Sequence, residues 1–91
     1  IKLFLYVNIS NQFDNEAINF LNGLSKNLKE RIYYKIISTK DNPHHYFEKL
    51  TGREDYKLRV GNYRVIVDID DQAKFIYITH IGHRKNIYKN I

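Results

Sequence analysis

The side chains best placed to do chemistry are three cations on two short runs that alternate polar and apolar residues. Lys57 and Arg59 interleave with Tyr56, Leu58 and Val60, and Arg64 follows Tyr63 in the run to Ile69. Only Gly61 and Asn62 separate the runs, which signals a two-residue hairpin turn with glycine first. Such a turn pairs Val60 with Tyr63, Arg59 with Arg64, Leu58 with Val65 and Lys57 with Ile66. Strand side chains alternate between faces, so Tyr56, Leu58, Val60, Tyr63 and Val65 line one face and Lys57, Arg59 and Arg64 project from the other. Like charges opposite each other across a ladder cost up to about 1 kcal/mol. The cations therefore either splay into water as a solvated face, partly neutralised by Asp55 and Asp68 further along, or form a rack for an anion.

Phosphate suits such a rack. The arginine fork matches phosphate oxygens, and a lysine crowded by other cations has a lowered pKa and can act as a base. Neighbouring aromatics add stacking surfaces for unpaired bases, so single-stranded RNA is a natural target. The tail His83-Arg84-Lys85-Asn86-Ile87-Tyr88-Lys89 carries four potentially cationic groups, one aromatic and no acid. It either approaches the hairpin from the end of the last strand or frays as a basic terminus.

The elements that must position these residues are legible in the hydrophobic pattern. Residues 2–8 alternate weakly and are rich in Phe, Tyr and Val, as in a strand. Phe13, Ala17, Phe20, Leu21 and Leu24 recur at helical spacing, with Asn11 or Asn15 as expected cap. After the break at Gly23-Leu24-Ser25, Ser25 stands at an N-cap position, and Leu28, Ile32, Tyr33 and Ile36 carry a second helix to about Ser38. Asp41-Asn42-Pro43 signals a turn, with Phe47 and Leu50 pinning the polar segment after it. A further turn at Asp70 to Ala73 leads into a last strand from Lys74 to Ile81. The expected fold is α+β, in the order β-α-α-β-β-β with a short C-terminal helix or tail. Two antiparallel helices then pack on a small, mainly antiparallel sheet.

The chain has 91 residues, one domain over 1–91, and at this length large internal cavities are not expected. The net charge of +5 is compatible with nucleic acid, an acidic protein or an anionic membrane surface as partner. With no cysteine, disulfides, thiolate zinc sites and cysteine nucleophiles are excluded. His80 and His83 are three apart and His44 and His45 adjacent, with no clustered carboxylates among them, so no metal site and no cofactor are expected. The opening run Leu3-Phe4-Leu5-Tyr6-Val7 is far shorter than a membrane span. The chain opens at Ile1 and contains no Met, so preceding residues are expected; no secretory signal is visible, and a cytoplasmic location without membrane contact fits. Tyr33 and Tyr34 read as core and boundary packing.

Three stretches carry a resemblance. They are Leu50-Thr51-Gly52, the hairpin Tyr56-Lys57-Leu58-Arg59-Val60-Gly61-Asn62-Tyr63-Arg64-Val65-Ile66-Val67, and Ile81-Gly82-His83-Arg84 with Ile87-Tyr88. In this order and spacing the chain resembles the RelE/ParE toxin superfamily. Resemblance to the RelE branch implies a ribosome-dependent mRNA endonuclease, the toxin of a toxin–antitoxin pair, held inactive by an acidic RelB-like antitoxin. It implies attack by a 2′-hydroxyl on the adjacent phosphate without a metal, with the ribosome and mRNA as partners. The family's cations fall on Lys57, Arg59, Arg64 and Arg84, and its terminal tyrosine on Tyr88.

On that resemblance Lys57 is the candidate base and Arg59 and Arg64 hold the phosphate. Arg84 stabilises developing charge, Tyr88 orients or stacks on the substrate, and Lys85 and Lys89 add RNA contacts. The second hairpin cation, a lysine in the best-known members, is Arg59 here. Arginine clamps phosphate but is a poor base, so base catalysis falls to Lys57 or to His83. His83 reads equally as a half-exposed histidine closing a strand. The competing functions are a ParE-like toxin that binds DNA gyrase and a degenerate protein that only binds its antitoxin.

Overall fold

The computed structural model describes residues 13–89 and 91. The strand expected at residues 2–8 and the cap candidate Asn11 lie outside them. Helix α1 spans Asn15–Asn22 and helix α2 spans Lys26–Ser38. The cap of α1 is Asp14 rather than Asn15: its Oδ2 accepts the Glu16 N–H at 3.1 Å. Asp14 can hold that position because its own N–H donates to the Ile78 carbonyl at 2.8 Å, which ties the helix start to the sheet. Ser25 caps α2 as expected, its Oγ accepting the Leu28 N–H at 3.4 Å.

Asp41-Asn42-Pro43 is more than a turn. Pro43 is the first residue of a one-turn helix, α3 (Pro43–Tyr46), where its missing N–H costs nothing and its fixed φ suits the helix. Phe47 then drops into the core and Leu50 is half-buried. Between them Glu48–Lys49 forms a two-residue strand, β1, that the sequence pattern did not reveal.

Strands β2 (Tyr56–Val60), β3 (Tyr63–Asp70) and β4 (Phe75–His83) complete an antiparallel four-stranded sheet in the order β1-β2-β3-β4. The register of β2 on β3 is the one the two-residue turn dictates, from Val60 opposite Tyr63 to Lys57 opposite Ile66. Gly61 takes φ +59°, which L side chains rarely adopt, as the first residue of a glycine-first turn requires. In β4 the apolar residues Ile76 and Ile78 are two apart, but Ile81 is three beyond Ile78. A β-bulge absorbs that slip: Ile66 pairs with His80 and Val67 with Ile78, leaving Thr79 without a partner of its own. The Thr79 hydroxyl donates to the Ile66 carbonyl at 3.1 Å and steadies the bulge.

One sheet face and the helices form the core. Ala17 and Leu21 of α1 and Ile32 and Ile36 of α2 bury against Leu58, Val60, Val65, Val67, Ile76, Ile78 and Ile81. Helix α1 packs over β4 and α2 over β2. The other face carries Lys57, Arg59, Arg64, Ile66 and Gly82, and after β4 the chain makes a 3₁₀ turn at Ile87–Lys89. Among the described residues no helix is long and apolar enough to cross a membrane.

Candidate functional site

The site begins at the hairpin. Arg59 and Arg64 stand directly opposite each other, as the turn requires, yet their environments differ. Arg59 is exposed, whereas Arg64 is only 8% exposed. Its guanidinium folds back on the turn, Nη1 donating to the carbonyls of Gly61 at 2.9 Å and Tyr63 at 2.8 Å. This separates two like charges that strand geometry places face to face, and it gives the Arg64 head acceptors inside the protein. Both bonds use Nη1, so among the described residues Nε and Nη2 of Arg64 remain as further donors beside its structural bonds to the turn.

Gly82 is the neighbour of Arg64 on β4, and over it lies Ile87. A Cβ at Gly82 would come within 2.9 Å of the Ile87 Cδ1, so the absent side chain is what lets the terminal turn settle on the sheet. Ile87 is 4% exposed and anchors that turn, while its neighbour Tyr88 stays 44% exposed. Arg84 is brought to the hairpin by its backbone, its N–H donating to the Asn62 carbonyl at 2.8 Å. The tail thus returns to the rack.

Lys57 and Tyr88 line one open cleft of about 420 Å³, together with Glu48, Lys49 and Arg53. Glu48 is the register partner of Lys57 across β1 and β2, with its Oε1 4.0 Å from the Lys57 Nζ. Glu48 and Lys49 escape sequence reasoning because β1 is too short to show a period, and Arg53 because it lies in the irregular loop after it. Lys85 and Lys89 are exposed.

His83 is placed differently. Its register partner is Tyr63, and their rings meet edge-on with centroids 5.3 Å apart. Tyr63 packs against the core cluster and against Phe20 of α1. By strand alternation His83 therefore lies on the helix-covered face, opposite to that of Lys57 and Arg59. Its Nδ1 accepts the Lys85 N–H at 3.2 Å, which orients the start of the tail.

Asp55 does not neutralise the rack as expected. Arg53 takes its carboxylate in a two-pronged bond, Nε to Oδ1 and Nη2 to Oδ2, each at 2.8 Å. That hydrogen bonding holds the Asp55 carboxyl below its ordinary range, against the opposing effect of its burial. The acid facing the lysine of the hairpin is Glu48 instead.

Known proteins resemble this chain in fold. Solved structures share the fold: the RelE–RelB complex of Escherichia coli (TM-score 0.66, 23% identity, covering 79% of this chain and 92% of that one) is one. The RelBE2 complex of Mycobacterium tuberculosis superposes at TM-score 0.73 with 21% identity, over 80% of this chain and 94% of that one. The RelB–RelE complex of Methanococcus jannaschii does so at 0.67 with 22% identity, over 88% and 98%. No curated protein matches the sequence. The family model for the ParE toxin of type II toxin–antitoxin systems matches residues 11–88, and the chain accordingly belongs to that family, within the RelE/ParE superfamily of toxins.

Proposed function

We propose that this toxin cleaves mRNA on the ribosome. The observation that carries the reading is juxtaposition: Lys57 of the hairpin and Tyr88 of the tail line one cleft, and the same hairpin carries Arg59 and Arg64 onward to the turn where the Arg84 backbone is tethered. Lys57 takes the proton of a ribose 2′-hydroxyl, the 2′-oxygen forms a bond to the adjacent phosphorus, and the bond to the 5′-oxygen breaks. A cyclic phosphate and a 5′-hydroxyl result once the leaving oxygen gains a proton. Arg59 and the spare donors of Arg64 bind the phosphate, Arg84 meets the charge that develops on it, and Tyr88 stacks on or orients the substrate. Lys85 and Lys89 add backbone contacts. The placement of His83 on the other face supports Lys57 as the base. A shallow cleft suffices when the ribosome presents the substrate.

The partner that restrains the toxin is an acidic antitoxin of the RelB kind, drawn by the +5 charge. The setting is the cytoplasm, where the ribosome and mRNA are. Primer extension on ribosome-bound mRNA tests the activity. New 5′ ends that vanish with Lys57→Ala are expected; intact transcripts at saturating toxin would overturn the reading.

The match to the ParE family model favours a second reading, a toxin that binds DNA gyrase. Blocked supercoiling with intact transcripts is its signature. A protein inert in both assays that still binds an acidic antitoxin would be a degenerate member.

A further inference from the structure

On the far side of Arg59 from the Lys57 cleft, an open groove of about 570 Å³ runs between α2 and the end of β2. Arg31 and Lys35, one helical turn apart on α2, form one wall, and Arg59 and Gly61 form the other. The Arg31 guanidinium reaches across the groove to the turn, with Nη2 3.0 Å from where a Gly61 Cβ would stand. None of the residues lining the groove is acidic, and Arg31, Lys35 and Arg59 form no ion pair among the described residues. Tyr34, also in the lining, is 64% exposed rather than the boundary residue its helical position suggested. Tyr34 meets Tyr33 edge-on at 5.7 Å between centroids, and the Lys35 Nζ lies 5.5 Å from the Tyr46 ring centroid. A largely exposed tyrosine thus stands beside three cations that have no ion-pair partner among the described residues.

We propose that this groove is a second RNA subsite. It takes the ribose-phosphate backbone of the strand flanking the cleaved phosphate, with Tyr34 stacking on an unpaired base. The inference rests on the RNA-cleaving reading and extends it away from the reacting phosphate. Arg59 belongs to both the hairpin rack and the groove, so one strand can pass from the first to the second without leaving cationic surface. The charge selects a polyanion, and the lining favours RNA over an acidic peptide. A protein segment gains affinity by burying apolar side chains in pockets, and here the aliphatic lining residue, Val60, is already 5% exposed and spent on the core. What the groove offers is charge and a π-face, the two things that single-stranded nucleic acid uses.

The test is fluorescence anisotropy of the full chain with a labelled 2′-O-methyl oligoribonucleotide, which cannot be cleaved, across a salt series. The Arg31→Ser/Lys35→Ser variant is expected to bind about tenfold more weakly. Its dependence of log affinity on log salt should be shallower by about 1.4, or about 0.7 per lost phosphate contact on a single strand. Arg31→Lys, which keeps the charge over the turn, should keep the slope. Tyr34→Ala should weaken binding about tenfold with the slope unchanged, as loss of a stacked base does. Circular dichroism confirms that each variant is folded. Equal affinity and slope for the double variant and the wild type would overturn the subsite, as would no binding by the wild type at low salt. So would a double variant that loses a labelled poly-glutamate peptide but retains the oligonucleotide, which would make the groove a protein-docking surface. Cleavage of ribosome-bound mRNA is scored separately. Intact mRNA with the wild type sinks the cleavage reading, whereas unchanged slopes alongside normal cleavage sink the groove alone.

Discussion

At the scale of single residues, the two kinds of cation on the hairpin separate by what their head groups touch. Lys57 has its ammonium 4.0 Å from Glu48 and no bond to the backbone of the turn, so little of the fold depends on it. Lys57→Ala is expected to lower cleavage by about 10²- to 10⁴-fold, the range for a lost general base, with the melting temperature nearly unchanged. Arg64 satisfies two turn carbonyls from an 8% exposed position. Arg64→Ala should therefore cost about 1–3 kcal/mol of stability as well as activity. Denaturant melts beside cleavage assays resolve the difference. Equal stability losses in the two variants would show that the turn does not need Arg64. The hairpin register and its three cations were readable in the sequence because a two-residue turn leaves strand pairing no freedom. That Arg64 folds back was not readable, since alternation tells which face a side chain leaves from and not where its head group ends.

At the scale of elements, the terminal 3₁₀ turn brings Tyr88 to Lys57, and Ile87 holds that turn over Gly82. Ile87 lies outside the main core cluster, so its loss should release the tail more than it unfolds the sheet. Ile87→Ala is expected to reproduce most of the activity loss of Tyr88→Ala. Local amide exchange should rise across residues 84–89 while β2 and β3 stay protected. Uniform loss of protection would instead make Ile87 part of the global core. Sequence periodicity found both long helices and the three long strands, since each buries an apolar face of regular period. It missed α3 and β1, whose lengths of four and two residues are too short to express one. It placed the cap of α1 at Asn11 or Asn15, whereas the hydrogen bond from the Asp14 backbone to Ile78 across the sheet selects Asp14. A cap is a local preference that a tertiary contact can shift by a residue.

At the scale of the whole molecule, the loop from Leu50 to Asp55 links the core to the cleft, and its stability should depend on pH. Asp55 has a depressed pKa in the folded protein, chiefly through its bonds from Arg53. As pH falls, the unfolded chain takes up this proton first. The stabilisation is thus complete above the ordinary carboxylate pKa of 3.8 and is lost as pH drops below it. Asp55→Asn should cost about 1–2 kcal/mol at neutral pH, at the low end for a charged hydrogen bond because Arg53 is 43% exposed. That gap should narrow progressively as pH falls below 3.8 in urea melts; a gap of constant size across the acid range would locate the effect in packing rather than charge. By itself, the sequence determined the α+β class, the hairpin with its register, the cation set and the family. All of these follow from short-range spacing and residue type. Only the tertiary structure decided that Tyr88 meets Lys57 in a cleft with Arg53 and Lys49, that His83 lies on the opposite face, and that Asp55 is bound to Arg53 instead of shielding the rack. Those outcomes depend on how distant segments settle over one another, through a bulge at Thr79, a missing side chain at Gly82 and a two-residue strand. Packing and closure set such contacts, and no local periodicity encodes them.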